Sequence, residues 1–495
     1  MTLGGAPQYV DLHFGKADAR KEAVTQPDLL LRGFYDAFDL PAKLHTGDVT
    51  VLLGPKGSGK SAIVEHLELE SHIRSNTFVT RYDLYEFPYR DFINLEAGGT
   101  TTEARLPTAW NWVLLLAVVN SFNEDLRSQS RANPDFRKAV EMLEKLGFLP
   151  GLKLRQVVIE STTASIGAAL KGLTGGFSKT RSNKGLAIPT ATEVLRRLVT
   201  DFRSEAVHLV VLDGLDKQFV AGQAPFEELA ALVISADKLN LEFVENQVPA
   251  RLVILIRPDM YDRLPSGETP KVRQDSGFHL HWYPSSERPE DSELFTLFSQ
   301  KAATLTPGIN DVIAQYFPKF IQPRGGRTNI AIHDYLLSRT RHTPRDLGQL
   351  LTAIKIQAQR EQRVGRLPES TIIDAASQYA KNFFYNDVMA TLRGLGFSQN
   401  DIDSFMGLVK AMPGDFFSRR TLLEKAAERD LKLGDKIDEL LRQLYEAGAI
   451  ANKTRAGWVN FLYRQSTGEL DVGGNFVMHR SLALALNKQQ LWVQS

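Results

Sequence analysis

The chain has 495 residues, which is enough for two to four domains with a substantial core. Hydrophobic residues make up 43% of it and charged residues 24%, as in an ordinary soluble globular protein, and the formal net charge of +1 gives no overall reason to expect nucleic acid or an anionic membrane as partner. The absence of cysteine excludes disulfides and thiolate metal sites. Because the N-terminus lacks a signal-peptide pattern and the longest apolar run, Trp112–Val119, is too short to span a bilayer, we expect a cytoplasmic protein with no membrane role.

Residues 1–45 form an N-terminal segment that precedes the first motif. Leu29–Phe38 has apolar residues at helical intervals, and Phe14, Gly15 and Asp18 stand ahead of it. An aromatic segment at this place either packs beside a bound adenine or covers the sheet edge, and the sequence leaves both interpretations open.

The strongest motif follows the apolar, β-branched run 48–53 and leads into a helical pattern over 62–69. It has the spacing G-x-x-x-x-G-K-[ST] of a phosphate-binding loop, in which glycines let backbone N–H groups face a polyphosphate at a helix N-terminus. We expect Lys60 to reach the β- and γ-phosphates of ATP and the Ser61 hydroxyl to ligate Mg²⁺. The predicted nucleotide-binding residues are Gly54, Pro55, Lys56, Gly57, Ser58, Gly59, Lys60 and Ser61.

The next stretch predicts a strand at Thr77–Asp83 and helices over 108–122 and 134–146. Residues 149–189 then change to small residues with glycine, serine, threonine and lysine, which predicts a flexible insertion with at most one short helix or strands. Its cations, which either contact a phosphate or partner or are simply solvated, are Lys171, Lys179, Arg181 and Lys184.

A second chemical element follows a predicted helix over 190–203. His208–Leu212 reads as a central strand, and Asp213 at its carboxyl end lies where open α/β sheets bind ligands, so we expect Asp213 to hold Mg²⁺ as the Walker B acid. Asp216 either orients or deprotonates the attacking water, as a second catalytic acid, or caps the next helix.

After a predicted helix over 225–240, the strand 251–256 ends at Arg257, which either senses the γ-phosphate, in its own subunit or across an interface, or forms a salt bridge with Asp259. Phe278–Trp282 alternates like a strand, with His279 and His281 on one face. No supporting ligand stands at a suitable spacing, so histidines without a metal are favoured there.

From about residue 289 the chain turns helical, and four helices are predicted up to residue 351. Pro344 fits the first turn of the last of them, so Arg345 points from the helix start, where lid-bearing ATPases place a phosphate sensor. The competing interpretation pairs Arg345 with a neighbouring acid. A long helix over 369–395 then leads to three helices and three extended segments (449–453, 459–464 and 475–479), a succession typical of a winged helix.

The assembled motifs resemble a bacterial family of P-loop ATPases allied to the STAND and KAP signalling NTPases. The resemblance rests on Phe14-Gly…Asp18-Ala, the loop 54–61, Val-Leu-Asp-Gly-Leu-Asp216, Leu-Ile-Arg257-Pro-Asp-Met-Tyr, His-Leu-His-Trp282 and Thr-Pro-Arg345-Asp-Leu. It implies an α/β P-loop NTPase of the ASCE, AAA-like class: a parallel-sheet core (46–288), a helical lid (289–390) and a C-terminal winged-helix domain (391–495). It also implies that Asp213 binds Mg²⁺ and that Arg345 is the lid sensor. The sequence departs from KAP relatives, which often carry membrane helices between the two nucleotide motifs.

Two functions fit these features. The first is an ATPase that acts as a regulatory switch, in signalling or antiphage defence, with a homo-oligomer or an effector protein as partner. The second is a DNA- or RNA-binding ATPase that uses the winged helix. The latter is not favoured because the predicted recognition helix, 435–446, has four acids against two bases. A GTPase lacks its Asn-Lys-x-Asp motif here, and a small-molecule kinase fits the separate terminal module poorly.

Overall fold

A computed structural model gives the fold. It describes residues 7–74, 76–95, 102–161, 187–215, 225–265, 267–283, 288–324, 328–393, 397–434, 436–454, 457, 459–464 and 468–488. Among these residues no helix is both long and apolar enough to cross a bilayer.

A five-stranded, all-parallel sheet forms the centre of the first half of the chain. Its strands are β1 (Val51–Leu53), β2 (Thr77–Asp83), β3 (Val207–Asp213), β4 (Ala250–Ile256) and β5 (Gly277–His279), in the spatial order β2-β3-β4-β1-β5. The central strands are continuous apolar runs because helices cover both faces. β4 lies between the strand that leads into the phosphate loop and the strand that ends at Asp213, which is the ASCE arrangement. The predicted fold class is confirmed.

Twelve α-helices surround this sheet within the described residues. They are α1 (Ala19–Thr25), α2 (Pro27–Arg32), α3 (Leu40–Thr46), α4 (Lys60–Ser71), α5 (Tyr89–Ile93), α6 (Thr102–Glu124), α7 (Pro134–Lys145), α8 (Leu154–Ser161), α9 (Ala187–Thr200), α10 (Phe226–Glu245), α11 (Pro258–Tyr261) and α12 (Thr269–Ser276). The apolar run Trp112–Val119 is buried inside α6, as its composition predicts.

Two sequence expectations differ from this part of the structure. The helix expected over Leu29–Phe38 ends at Arg32, because Gly33 caps it, and Phe34–Phe38 leave the helix to line a cavity. In the segment 149–189, α8 and the start of α9 are helical, whereas residues 162–186, with all four cations noted there, lie outside the described residues.

A helical layer, which we call the lid, follows the sheet. It contains α13 (Glu293–Leu305), α14 (Val312–Tyr316), α15 (Ile332–Leu337), α16 (Pro344–Arg360) and α17 (Glu369–Tyr379), with a two-stranded ribbon of β6 (Phe320–Ile321) and β7 (Ile330–Ala331). The N-terminal segment reaches this layer, since Tyr9 donates from its hydroxyl to the Leu351 carbonyl oxygen (3.0 Å) and Phe14 packs against Phe298. α1 and α2 pack against α4, and α2 also packs against α13 of the lid.

A winged-helix module ends the described chain. It contains α18 (Tyr385–Arg393), α19 (Gln399–Ala411), β8 (Phe416–Ser418), α20 (Arg419–Glu428), α21 (Lys436–Glu446), β9 (Ile450–Lys453), β10 (Val459–Asn460), β11 (Asn475–Met478) and α22 (Arg480–Ala485). The strands pair antiparallel in the order β10-β9-β11-β8.

Three details of this module differ from the sequence expectations. β8 is too short to show a periodicity and was not expected. The extended segment expected over 459–464 stops at Asn460, and Leu462–Arg464 form a 3₁₀ turn. The single helix expected over 369–395 contains a π-helical segment, Ala380–Phe384, between α17 and α18. Such segments are frequent at functional sites.

Candidate functional site

The loop 54–61 joins β1 to α4, which begins at Lys60. Gly57 and Gly59 have positive φ angles of 87° and 100°, a backbone conformation that glycine adopts without strain. At Gly57 the space is also restricted, because an added Cβ would lie 2.9 Å from the Arg345 side chain. The Lys60 ammonium lies over the loop and donates to the Gly54 carbonyl oxygen (2.5 Å). The sequence therefore forms the loop that its motif predicts, with Lys60 held above it.

Ser61 and Asp213 meet at the carboxyl edge of the sheet. The Ser61 hydroxyl donates to Asp213 Oδ2 at 3.2 Å, and the Gly214 amide donates to Asp213 Oδ1 at 2.7 Å. A hydroxyl and a carboxylate are hard oxygen donors that suit Mg²⁺, which takes few protein ligands and completes its shell with phosphates and waters. No cluster of three or more metal-binding side chains occurs among the described residues. The donor set thus fits a magnesium ion held together with a nucleotide.

Arg81 and Glu65 belong to the same edge, and sequence reasoning missed both. From β2, Arg81 donates to Asp213 Oδ2 at 2.6 Å and to Glu65 Oε1, on α4, at 2.5 Å. Burial alone would lower the pKa of the Arg81 guanidinium, but Asp213 and Glu65 together raise it. For Glu65, burial raises the pKa in spite of Arg81. One cation thus ties the loop helix to both strands that end at the site.

Asp83 is a second carboxylate at this edge. Because β2 and β3 are parallel, Asp83 pairs in register with Asp213. Its Oδ1 accepts from the Tyr85 amide (2.8 Å) and lies so near Gly214 that an added Cβ there would be 2.1 Å away. The sequence contained a signal for Asp83, because this acid ends the predicted strand Thr77–Asp83. Asp216, the predicted second acid, lies outside the described residues.

Arg345 contacts the phosphate loop directly. The Thr343 hydroxyl caps α16 by accepting from the Asp346 amide (3.2 Å), and Pro344 occupies the first turn, as the sequence predicts. The backbone amide of Arg345 donates to the Gly57 carbonyl oxygen at 3.3 Å. Its guanidinium donates to Asp387 Oδ2 at 3.1 Å. The first turn of α16 is therefore in contact with the loop. Arg345 also pairs with an acid, as the competing interpretation of this residue expects.

Asp387, near the start of α18, accepts hydrogen bonds from three cationic side chains. Lys56 of the loop donates to its Oδ1 at 2.7 Å, while Arg341 (2.9 Å) and Arg345 donate to Oδ2. Burial by itself would raise the pKa of this carboxyl, but the three cations hold it well below its ordinary value. The π-helical segment ends three residues before it, and Phe384 lies under the Arg341 guanidinium. Asp387 is therefore the point where loop, lid and winged-helix module meet.

A cavity of about 560 Å³ lies between the loop, the sheet edge, the N-terminal segment and the lid. This volume is typical of a small-molecule site. Its polar wall contains Lys60, Ser61, Arg81, Asp213 and Arg345. Its aromatic wall contains Phe14, Phe34, Phe38, Trp282 and Phe298. Trp282 donates from its indole to the Ser58 carbonyl oxygen at 2.8 Å, which fixes this wall against the loop. The N-terminal segment thus lines a cavity, as one of its two interpretations requires.

Arg257 lies elsewhere. Its guanidinium forms two hydrogen bonds with Asp259 (2.9 and 2.6 Å), the salt-bridge alternative, and it lines a second cavity of about 590 Å³ behind the loop. His281 follows β5 instead of lying in it, and contacts the Tyr463 carbonyl oxygen (3.1 Å). His279 accepts from Arg273 (3.1 Å). The second cavity lies between the core and the winged-helix module. Arg257, His279 and His281 line this cavity, and the structure does not bring them together with Lys60 and Asp213.

Comparisons with known proteins find distant similarity to solved structures. No protein-family model and no curated protein sequence matches the chain. Among solved structures, the ORC2 protein of Aeropyrum pernix, in ADPNP and ADP complexes, is 13% identical with a TM-score of 0.38; the match covers 91% of this chain and 89% of that one. Cdc6p of Pyrobaculum aerophilum is 11% identical with a TM-score of 0.31, and 89% of each chain is covered. Similarity at this level assigns no function.

Proposed function

We propose that the chain binds ATP with Mg²⁺ and hydrolyses it as a regulatory switch. The observation that carries the proposal is a single cavity whose wall contains Lys60, Ser61, Asp213 and Arg345, with Arg345 bonded to the loop on one side and to Asp387 on the other. A phosphate bound in this cavity lies within reach of groups from the sheet and from the lid. Any movement of Arg345 toward it changes a contact of the winged-helix module.

The chain's own residues have distinct tasks in this proposal. The loop amides and Lys60 bind the β- and γ-phosphates, and the aromatic wall excludes water from the base. Ser61 and Asp213 hold Mg²⁺, which neutralises phosphate charge when it is bound. Asp83 and Asp216 are the candidate acids for orienting the attacking water, and Arg345 is the candidate phosphate sensor. Arg257 would join them only through a rearrangement or from a second subunit.

The placement of the winged-helix module favours a switch over a nucleic-acid reader. Glu446, in the last turn of α21, is mostly buried and accepts from Arg263 of the core (3.1 Å). The pKa of Glu446 is raised by this burial. α21 thus carries a buried acid toward the core, whereas a DNA-reading helix needs exposed bases. The resemblance to STAND and KAP NTPases extends the proposal to signalling or antiphage defence, with a second copy or an effector protein as partner.

Three variants test the proposal by nucleotide binding and phosphate release. Lys60→Ala should weaken ATP binding by on the order of 10²-fold, because it removes a cation that makes charge-assisted bonds to phosphate. Asp213→Ala should retain most binding but reduce Mg²⁺-dependent phosphate release by on the order of 10²-fold. Lys238→Ala is the matched control, since Lys238 forms an exposed pair with Glu268 away from the cavity.

Unchanged phosphate release in both Lys60→Ala and Asp213→Ala would refute the assignment. The same assay with DNA and with RNA, read beside the mass in solution, separates the alternatives. Stimulation by nucleic acid would favour the DNA- or RNA-binding ATPase, whereas an ATP-dependent change of oligomer would favour the switch.

A further inference from the structure

Arg81 forms a bridge that the phosphate-loop motif does not require. Its guanidinium lies between the Walker B carboxylate and a carboxylate of the loop helix, at 2.6 Å from Asp213 Oδ2 and 2.5 Å from Glu65 Oε1. The Arg81 side chain is 22% exposed and those of Glu65 and Asp213 are 8% and 16% exposed, so the group is largely withdrawn from water. Ion pairs screened so little by solvent have strong mutual interactions.

The bridge uses the oxygen that a metal ion would need. Asp213 Oδ2 accepts from Arg81 and also from the Ser61 hydroxyl, and Ser61 and Asp213 are the two proposed protein ligands of Mg²⁺. A guanidinium bonded to that oxygen and a divalent cation at the same place repel each other, and both draw on the same negative charge. The Arg81 bond and metal ligation by Oδ2 are therefore competing states of one carboxylate.

We infer that Arg81 is an internal cation that competes with Mg²⁺ for Asp213, so that metal ligation is linked to transfer of Arg81 from Asp213 to Glu65. This inference rests on the proposed nucleotide site. Glu65 is suited to receive the guanidinium because it already bonds to it and projects from α4, the helix that begins at Lys60. In the state with Arg81 on Asp213, the guanidinium supplies positive charge at the phosphate edge. Nucleotide binding is then expected to persist without a divalent cation.

Two substitutions should shift the metal affinity in opposite directions. Arg81→Met removes the competitor while keeping an unbranched chain, so the Mg²⁺ concentration that half-saturates the ADP-bound protein should fall by about tenfold or more, the effect expected for removing a neighbouring charge. Glu65→Gln leaves Asp213 as the only carboxylate bonded to Arg81 among the described residues, so the same midpoint should rise severalfold. Arg81→Lys retains the charge and should stay near the wild type.

The measurement uses the full chain and a fluorescent ADP analogue, titrated with Mg²⁺ and repeated with Mn²⁺ followed by electron paramagnetic resonance, which reports the bound metal directly. Arg155→Met is the matched control, because Arg155 forms an exposed pair with Glu86. Coinciding midpoints for wild type, Arg81→Met and Glu65→Gln, or a shift of both in one direction, would overturn the inference. If Arg81→Met does not fold, an unchanged or lower midpoint in Glu65→Gln, or a midpoint of Arg81→Lys far from the wild type, would overturn the inference. Failure of the wild type to bind the analogue with or without metal would instead refute the proposed function.

Discussion

Replacing Asp387 by asparagine should loosen the start of the lid helix. Asp387 is the common partner of Lys56, Arg341 and Arg345, and these three residues come from the phosphate loop, the turn before α16 and its first turn. Asparagine keeps the shape of the side chain and one oxygen acceptor but removes the negative charge. The perturbation therefore tests whether this carboxylate holds the loop and the lid together.

The three cations do not contribute equally to the expected cost. Lys56 is 44% exposed and regains water, and Arg341 keeps its two-pronged bond to Asp346 (2.7 and 2.8 Å). Arg345, 14% exposed, loses its bonded carboxylate and keeps the Phe383 ring beneath its guanidinium and the charge of the nearby Asp346. Removing one partner of a buried pair costs about 3–5 kcal/mol, and with only one cation stranded we expect about 3 kcal/mol.

Hydrogen exchange measured by mass spectrometry reports this local cost, since global unfolding of a chain with several domains need not be two-state. An opening free energy lower by about 3 kcal/mol corresponds to exchange about 10²-fold faster in a peptide covering 341–351. Asp374→Asn is the matched control, because Asp374 lies on α17 in an exposed pair with Arg324, and such a pair contributes less than about 1 kcal/mol. Equal exchange of that peptide in the two variants would refute the reasoning.

Two further predictions concern turnover and acid stability. Arg345→Ala should slow ATP turnover by about tenfold or more while circular dichroism stays unchanged; wild-type rates would make Arg345 a structural residue. Burial lowers the pKa of His208 below its ordinary 6.5 in spite of the neighbouring Asp125, so the folded state binds fewer protons than the unfolded state below that value. This part of the stability is complete above pH 6.5 and is lost as the pH falls through the lowered pKa of His208. His208→Asn should flatten that decline in thermal melts from pH 7 to 4.5, and an unchanged decline would contradict the assignment.

The sequence predicts those parts of the site that follow from local pattern. The phosphate loop, its flanking strand and helix, and Asp213 at the end of an apolar strand are each encoded within about ten residues, so spacing and β-branched composition suffice to find them. The start of α16 was predicted for the same reason, because Pro344 fits the first turn of a helix. Where a short element carries little periodicity, as in β8 or the turn at Leu462–Arg464, the prediction was missing or wrong.

Pairings between distant residues could not be predicted. Arg81 lies in a strand of partial alternation, and nothing within that strand indicates that its partners are Glu65 and Asp213, sixteen and 132 positions away. Asp387 likewise stands in an ordinary helical pattern, and only the π-helical segment before it and the fold itself bring it to Lys56. Such partners depend on strand order and helix packing, which single-sequence periodicity does not encode.

The phosphate loop contacts both the proposed nucleotide cavity and the lid. Lys56 and Lys60 both line that cavity, Lys56 also bonds to Asp387, and Gly57 between them accepts from the Arg345 amide. A nucleotide that draws the loop or Arg345 toward its phosphates must therefore strain or break a bond to the lid or to Asp387. Asp387 lies on α18, the first helix of the winged-helix module. A displacement of Lys56 or Arg345 therefore acts on that module through the hydrogen bond that each of them forms with Asp387. A ligand can shift such an equilibrium only by its differential affinity for the two arrangements, so in the proposed switch the strength of the Asp387 contacts would set how much ATP binding energy is needed.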